Sequence, residues 1–524
     1  NPSLDPIGPS LSFTQLMSTR MSNLYHVFSE HLQPKRPLLI NSNQECEATY
    51  GDLETRSAQY ASALLSLGLN PGDRVAVQIA KSIENIYLYC GCLRAGLIYL
   101  PLNAAYQASE LSHFITDAKP KLFVIDPAAS IGHLDQLDHR PQTRTLDQDG
   151  RGSLRDLADS SPTHPEIHPS QDQDIAVIVY TSGTTGLPKG AMISHGNLIS
   201  NARALRTAWG WTDHDVMLHA LPIFHVHGLF VGLHLPLLSN SPIILMPNFN
   251  ADAVIATLPL ATVFMGVPTY YTRLLSSGIK AQDCANMRLF TSGSAPLLSQ
   301  TFTDWEQATG TTILERYGMT ETGMNTSNPL SGERKKGTVG PALPGVKCRV
   351  VDSSGIDVAV GDTGDLWVKG ENVFSGYWQN PEKTAESFTS EGPGDGFFKT
   401  GDLASIDPEG YITIVGRNKD LIITGGLNVY PKEIELLIDR MDGVLESAVI
   451  GLPHPDFGEA VCAVIVPLDG ADCSQEAIIA TLKADIANFK IPKHVFFIPE
   501  LPRNTMGKVQ KNELRTRFSP PSSS

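Results

Sequence analysis

Short runs of apolar and β-branched residues recur between positions 74 and 293: RVAVQIA (74–80), KLFVID (121–126), IAVIVY (175–180), PIILMP (242–247), TVFMG (262–266) and MRLFTSG (287–293). They have the length of strands and show no polar face, the pattern of strands buried on both sides. Several are followed by stretches of helical periodicity, for example APLLSQTFTDWEQATG (295–310). This alternation predicts an α/β domain with parallel sheets, in which ligands sit where strands end and loops open.

With 524 residues, the chain is too long for a single hydrophobic core, and two or more domains are expected. From about residue 340 the texture changes to short strands punctuated by Gly and Pro: GTVGPALPGVKCRVVD, GDLWVKG and YITIVGR. They suggest a small β subdomain over about 335–418. After GRNKDLI the pattern becomes helix (PKEIELLIDRM), strands (ESAVIGLP, AVCAVIVP) and helix (QEAIIATLKADIANF). The expected boundary lies near Asn418 to Asp420, with an N-terminal domain over 1–418 and a mobile α+β C-terminal domain over 419–524.

The formal net charge of −15 argues against non-specific binding to nucleic acid or an anionic membrane, since both require basic surface. The most apolar long segment, residues 219–238, carries His219, His225, His227, His234, Pro222 and Pro236, which is wrong for a membrane span. Seven scattered cysteines with no zinc spacing read as reduced thiols, so an intracellular compartment is expected, cytoplasmic or mitochondrial. The first residue is Asn, so a removed transit peptide would leave no trace. The tail FSPPSSS reads as disordered and lacks a peroxisomal Ser-Lys-Leu ending.

TSGTTGLPKG (181–190) follows an expected strand. It is not a Walker A loop, because Leu-Pro separates Gly186 from Lys189. Its chemistry still suits phosphate. Gly183 and Gly186 let backbone N–H groups approach an anion, Ser182, Thr184 and Thr185 offer hydroxyls, and Lys189 offers charge. A surface turn uses the same residue types.

YTSGTTGLPKGAMISH resembles the phosphate-loop signature of the adenylate-forming superfamily, which includes acyl-CoA synthetases. The further motifs follow in order: TSGSAPL (291–297), YGMTE (317–321), TGDLA (400–404), GRNKDLIITGG (416–426) and PRNTMGKV (502–509). The resemblance covers nearly the whole chain. It implies ATP, Mg²⁺ and coenzyme A, and two half-reactions: an acid and ATP give an acyl-adenylate and pyrophosphate, then the CoA thiol displaces AMP.

The resemblance also assigns residues. The loop from Thr181 to Lys189 would hold the β- and γ-phosphates. Ser292, Gly293, Ser294, Ala295 and Pro296 would line the base together with Glu315, Gly318 and Met319, and Tyr317 would stack on adenine. Thr320 would bond the α-phosphate, and Glu321 would bind Mg²⁺ with Thr184. Asp402 would take the ribose hydroxyls, supported by Arg417. Lys508 would bridge the acid and the α-phosphate. A rotation about Lys419 would then withdraw Lys508 and bring Thr424, Gly425 and Gly426 to the pantetheine tunnel.

Two segments bear on the acid. In ERYGMTETGMNTSNP the position before the tyrosine, a glycine in aryl-CoA ligases, is Arg316. In LPIFHVHGLF, His225 matches a gate residue and His227 lies where the acyl pocket is lined. An arginine is costly in a pocket for a fatty chain but suits a second carboxylate, which it grips in a bidentate fork. Together these segments resemble malonyl-CoA synthetases, which implies malonate, with Met324 also at the acid. Arg273 in VPTYYTRLL is a second candidate cation or a surface helix residue. Arg316 has an alternative as an ion-pair partner of Glu315 or Glu321. The two histidines lack a third metal ligand nearby in sequence. The competing reading is a CoA ligase for methylmalonate, an aromatic acid or a short monocarboxylic acid. Only small-molecule partners are expected, with no nucleic acid and no membrane span, in a monomer or weak homodimer.

Overall fold

The computed structural model describes residues 22–129, 132–163, 166–181, 188–424, 427–454, 457–471, 473–486, 488–504 and 507–519. The central residues of the phosphate loop, 182–187, the pair 425–426 and the tail 520–524 lie outside these. The expectations placed on Ser182, Gly183, Thr184, Thr185, Gly186, Gly425 and Gly426 therefore fall outside the described residues.

Two large sheets build the N-terminal region. The first has the order 142–145, 122–125, 74–78, 98–101, 175–181, 189–194, and is parallel except for the last pair. That pair is the hairpin Ile175–Thr181 with Lys189–Ser194, whose turn is the phosphate loop. The second sheet has eight strands in the order 323–327, 313–319, 289–292, 263–266, 217–219, 243–245, 37–40, 46–49. It is parallel except at its two outer pairs. The central strands are buried on both faces: Leu122–Ile125 and Val263–Gly266 expose no residue. This explains why each apolar run lacked alternation. Parallel strands point their carboxyl ends the same way, so His219, Gly266 and Ser292 end at the same edge of the second sheet.

A four-stranded antiparallel sheet follows (347–351, 364–369, 398–406, 412–417). The sequence reading contains no strand at Phe398–Ile406, yet this nine-residue strand carries Asp402. Gly401 at φ 72° and a register shift between Leu403 and Ala404 interrupt the alternation that would have revealed it. Arg417 ends this sheet, and Ile422 begins another. The new sheet pairs 427–429, 422–424, 458–467 and 444–454, with 494–497 added parallel to 458–467. Helices Pro431–Ile438, Gln475–Asp485 and Lys511–Phe518 accompany it. The helical run expected through Phe489 ends at Asp485, with Ile486 extended.

Candidate active site

Arg316 lies in the middle of the strand Ile313–Met319 and is 3 % exposed. Among the described residues it has no carboxylate partner, and its Nε and Nη2 have no hydrogen-bond acceptor. Neither Glu315 nor Glu321 pairs with it. The strand's pleat turns neighbours to opposite faces, so Glu315 instead takes the Gly337 N–H at 3.2 Å. Burial pushes the Arg316 guanidinium down to about 9, with only the Tyr271 phenol opposing. A cation this deep without an anion is a costly arrangement unless a ligand supplies the charge.

The groups around it point the same way. His227 is fully buried, with Nδ1 3.2 Å from the Ser294 hydroxyl and Nε2 without a partner. Burial, then Arg316, hold its pKa well below the ordinary value. His225 is pushed down to about 4 by the same two causes, and its Nδ1 accepts the His227 N–H at 3.2 Å. Both imidazoles are neutral at pH 7. His227 opens a π-helical turn, His227–Val231, where a Cβ at Gly228 would collide with the Pro222 carbonyl. Gly293 lies directly against Arg316, and a Cβ there would collide with the guanidinium. Met324, on the neighbouring strand, packs over Gly318. The buried hydroxyls of Thr291 and Ser292, next to Gly293 in the chain, have no hydrogen-bond partner among the described residues.

Arg273 does not join this cluster. It is exposed on the helix Pro268–Ser276, whose inward face is Tyr271 and Leu274. Three-residue spacing places Arg273 between those two positions and therefore outward. The candidacy of Arg273 for the acid is corrected accordingly.

The opposite face of the same strand gathers polar groups. The Tyr317 hydroxyl donates to Asp402 Oδ2 at 2.6 Å, and Arg417 Nε lies 3.0 Å from Asp402 Oδ1. Thr320 and Glu321 occupy the turn into the strand Gly323–Ser327. Glu321 is buried, and its Oε1 accepts the Tyr377 hydroxyl at 3.0 Å. Burial raises its pKa. No Lys or Arg pairs with it among the described residues, so an acceptor oxygen remains for a hard cation. Among the described residues no cluster of three His, Cys, Asp or Glu side chains lies there. A Mg²⁺ ion at Glu321 would take the rest of its shell from phosphate and water, as this ion does at nucleotide sites. Tyr377 escaped the sequence reading, because nothing in FSGYW marks a partner 56 residues away.

At the phosphate loop, Thr181 pairs with Lys189 across the hairpin. Ser292 ends its strand, Ser294 takes φ 70°, and Ala295 and Pro296 continue the loop over the cleft. Burial pushes Glu315 up to about 8, opposed first by the Gly337 N–H and then by Lys432 of the C-terminal region. Lys508 follows a turn closed by Gly507 N–H to Asn504 O at 2.9 Å. Gly507 packs on Thr269, where a Cβ would sit 3.1 Å from the hydroxyl oxygen. The charges acting on Lys508 are Arg417, Asp402, Lys419 and Asp420, and burial first, then Arg417, lowers it to about 8. The C-terminal region thus presents Lys508 toward the Asp402 side of the cleft. Lys419 is exposed between two anchored neighbours: Asn418 donates to Asp365 at 2.8 Å, and Asp420 accepts from Arg515 at 2.7 Å.

Residues 29–378 match the AMP-binding enzyme family and residues 433–508 its C-terminal domain. The chain belongs to the AMP-binding enzyme family. It is 34 % identical over 515 residues to the mitochondrial malonate–CoA ligase of Mus musculus, covering 90 % of this chain and 87 % of that one. It is also 34 % identical over 478 residues to a feruloyl-CoA synthase of Amycolatopsis, covering 90 % and 94 %. ATP-bound MatB from Rhodopseudomonas palustris is 49 % identical, with a TM-score of 0.92 over 95 % of this chain and 99 % of that one. The ligand-free form of MatB superimposes at 0.82. Among the described residues no helix is long and apolar enough to cross a membrane.

Proposed function

We propose that the chain is an ATP-dependent malonyl-CoA synthetase, forming malonyl-CoA, AMP and pyrophosphate through a malonyl-adenylate. The observation that carries this reading is the buried Arg316 guanidinium with two orphaned nitrogens and no carboxylate partner. Malonate supplies that carboxylate while its other carboxylate reacts. The equal identity to ligases of malonate and of an aromatic acid means that overall similarity does not select the acid, so the pocket must.

In the first half-reaction one malonate carboxylate attacks the α-phosphorus, and the bond to the β-phosphate breaks. Arg316 holds the distal carboxylate, with Ser294, His227 and Met324 shaping the space beside it. Lys508 stands where negative charge builds between carboxylate and α-phosphate. Thr320 bonds the α-phosphate, Tyr317 and the 292–296 loop hold the adenine, and Asp402 with Arg417 takes the ribose. Glu321 and Thr184 would hold Mg²⁺, which would neutralise charge on the phosphate oxygens. In the second half-reaction the CoA sulfur attacks the carbonyl and AMP leaves. Lys508 must leave the cleft for this, and Lys419, between its anchored neighbours, is the joint about which it does so. The enzyme acts as a monomer or weak homodimer in the cytoplasm or mitochondrial matrix.

The test is pyrophosphate release with ATP and Mg²⁺ across malonate, methylmalonate, succinate, acetate, octanoate and coumarate. Malonate is expected to lead. A monoacid in first place would overturn the assignment of Arg316 while leaving the family intact.

A further inference from the structure

A second feature of the cleft lies outside the groups used so far. Where the two large sheets bring their carboxyl ends together there is a cavity of about 150 Å³. One wall comes from the ends of strands Arg74–Gln78 and Ile98–Pro101, with Val77, Ile79 and Tyr99, and the other from the turn Pro222–Phe224 that leads into His225. Lys81 lines it, one position before Ser82, the N-cap of the helix Ile83–Arg94.

The Lys81 ammonium donates to the His219 carbonyl at 2.8 Å, and no Asp or Glu pairs with it among the described residues. Burial alone acts on it, holding its pKa well below the ordinary lysine range. The adjacent helix start contributes positive potential of the same sign. An ammonium enclosed this way is destabilising until an anion arrives. The side-chain amides of Asn85, Gln148 and Asn248 also line the cavity, and each carries N–H donors for an anion. Lys81 is thus a half-buried cation that no carboxylate pairs with among the described residues, and it shares its cavity with the turn that leads into His225.

We infer that Lys81 is the contact for a phosphate group of the thiol substrate, held in this cavity while the thiol reaches past His225 to the acyl-adenylate. The inference rests on the proposed reading that the acceptor is CoA. CoA joins a neutral, amide-bearing arm ending in the thiol to a phosphorylated nucleotide, so its only anions are phosphates. Malonate and ATP are met by Arg316 and by the nucleotide groups.

The test compares the native protein with Lys81→Met, which keeps the apolar stem, and Lys81→Arg, which keeps the charge. Each is assayed with CoA, dephospho-CoA and pantetheine as thiols, using whichever acid gives the fastest pyrophosphate release. A wrong acid under the proposed function is therefore not confused with a wrong thiol contact. Lys81→Met is expected to raise the CoA KM by roughly 10- to 100-fold, the range of a charge-assisted bond. Lys81→Arg should restore most of the affinity. Single-turnover pyrophosphate release without thiol should be the same in all three proteins, and pantetheine should not distinguish them. If the difference between native and Met proteins vanishes with dephospho-CoA, the contact is the 3′-phosphate, and if it persists, the diphosphate. An unchanged CoA KM, an equal rise for pantetheine, or an equal loss in both half-reactions would overturn the inference.

Discussion

Arg316→Met separates the needs of the fold from those of the substrate. The native guanidinium is 3 % exposed, lacks an acceptor at Nε and Nη2, and is held down to about 9 by burial. Methionine fills similar length without charge, so the ligand-free protein should gain about 1–4 kcal/mol of stability, the range seen when buried charge gives way to apolar groups. Catalysis should move the other way. Losing a charge-assisted pair to the distal carboxylate removes about 2–3 kcal/mol, which is roughly 30- to 150-fold in kcat/KM for malonate. Acetate has no second carboxylate and should lose nothing. The assays are denaturant unfolding without ligand, compared by midpoint because several domains unfold, and pyrophosphate release with malonate and acetate in parallel. A less stable Met variant, or an unchanged malonate-to-acetate ratio, would refute the view that Arg316 waits for a substrate anion.

The remaining predictions concern the same cleft. Gly293→Ala should displace the guanidinium it would collide with and lower the malonate-to-acetate ratio at least about 10-fold, measured by the same release assay. An unchanged ratio would mean that Arg316 has room to move. Lys508→Ala should cripple adenylation yet leave thioester formation from supplied malonyl-adenylate nearly intact, and rapid-quench assays of each half-reaction check this. Lys508 acts as an ammonium and is lowered to about 8. The kcat/KM for adenylation should therefore be flat below that pH and fall about tenfold per unit above it. Lys508→Arg should move the onset of the fall from about pH 8 to about pH 9, where Arg316 loses its charge, whatever its absolute rate.

Much of the architecture was legible because a strand covered on both faces must be apolar throughout, and Leu122–Ile125 and Val263–Gly266 are such strands. Phe398–Ile406 was hidden because Gly401 and the irregular pairing after Leu403 break its alternation. Arg316 could be singled out because a cation stands where small residues are usual. Its isolation from Glu315 could also be anticipated from the two-residue period of a strand. Arg273 stayed open between the acid and a surface helix because the sequence alone does not say that Tyr271 and Leu274 form the buried face. Tyr377 beside Glu321, and Lys81 at its cavity, lay beyond reach. Their surroundings are assembled from segments far apart in the chain, and no local pattern records that.

The strand Ile313–Met319 presents Arg316 to one side and Glu315 and Tyr317 to the other. Its pleat therefore keeps two inheritances apart by the width of one peptide unit. Under the proposed function, a substitution at position 316 can retune the acid while Glu315 and Tyr317 go on serving the nucleotide. New specificity can then arise in a single mutational step, without the lineage first losing the power to activate a carboxylate. A malonate ligase and an aromatic-acid ligase can thus stand equally near this chain in overall identity and differ in what a handful of side chains admit.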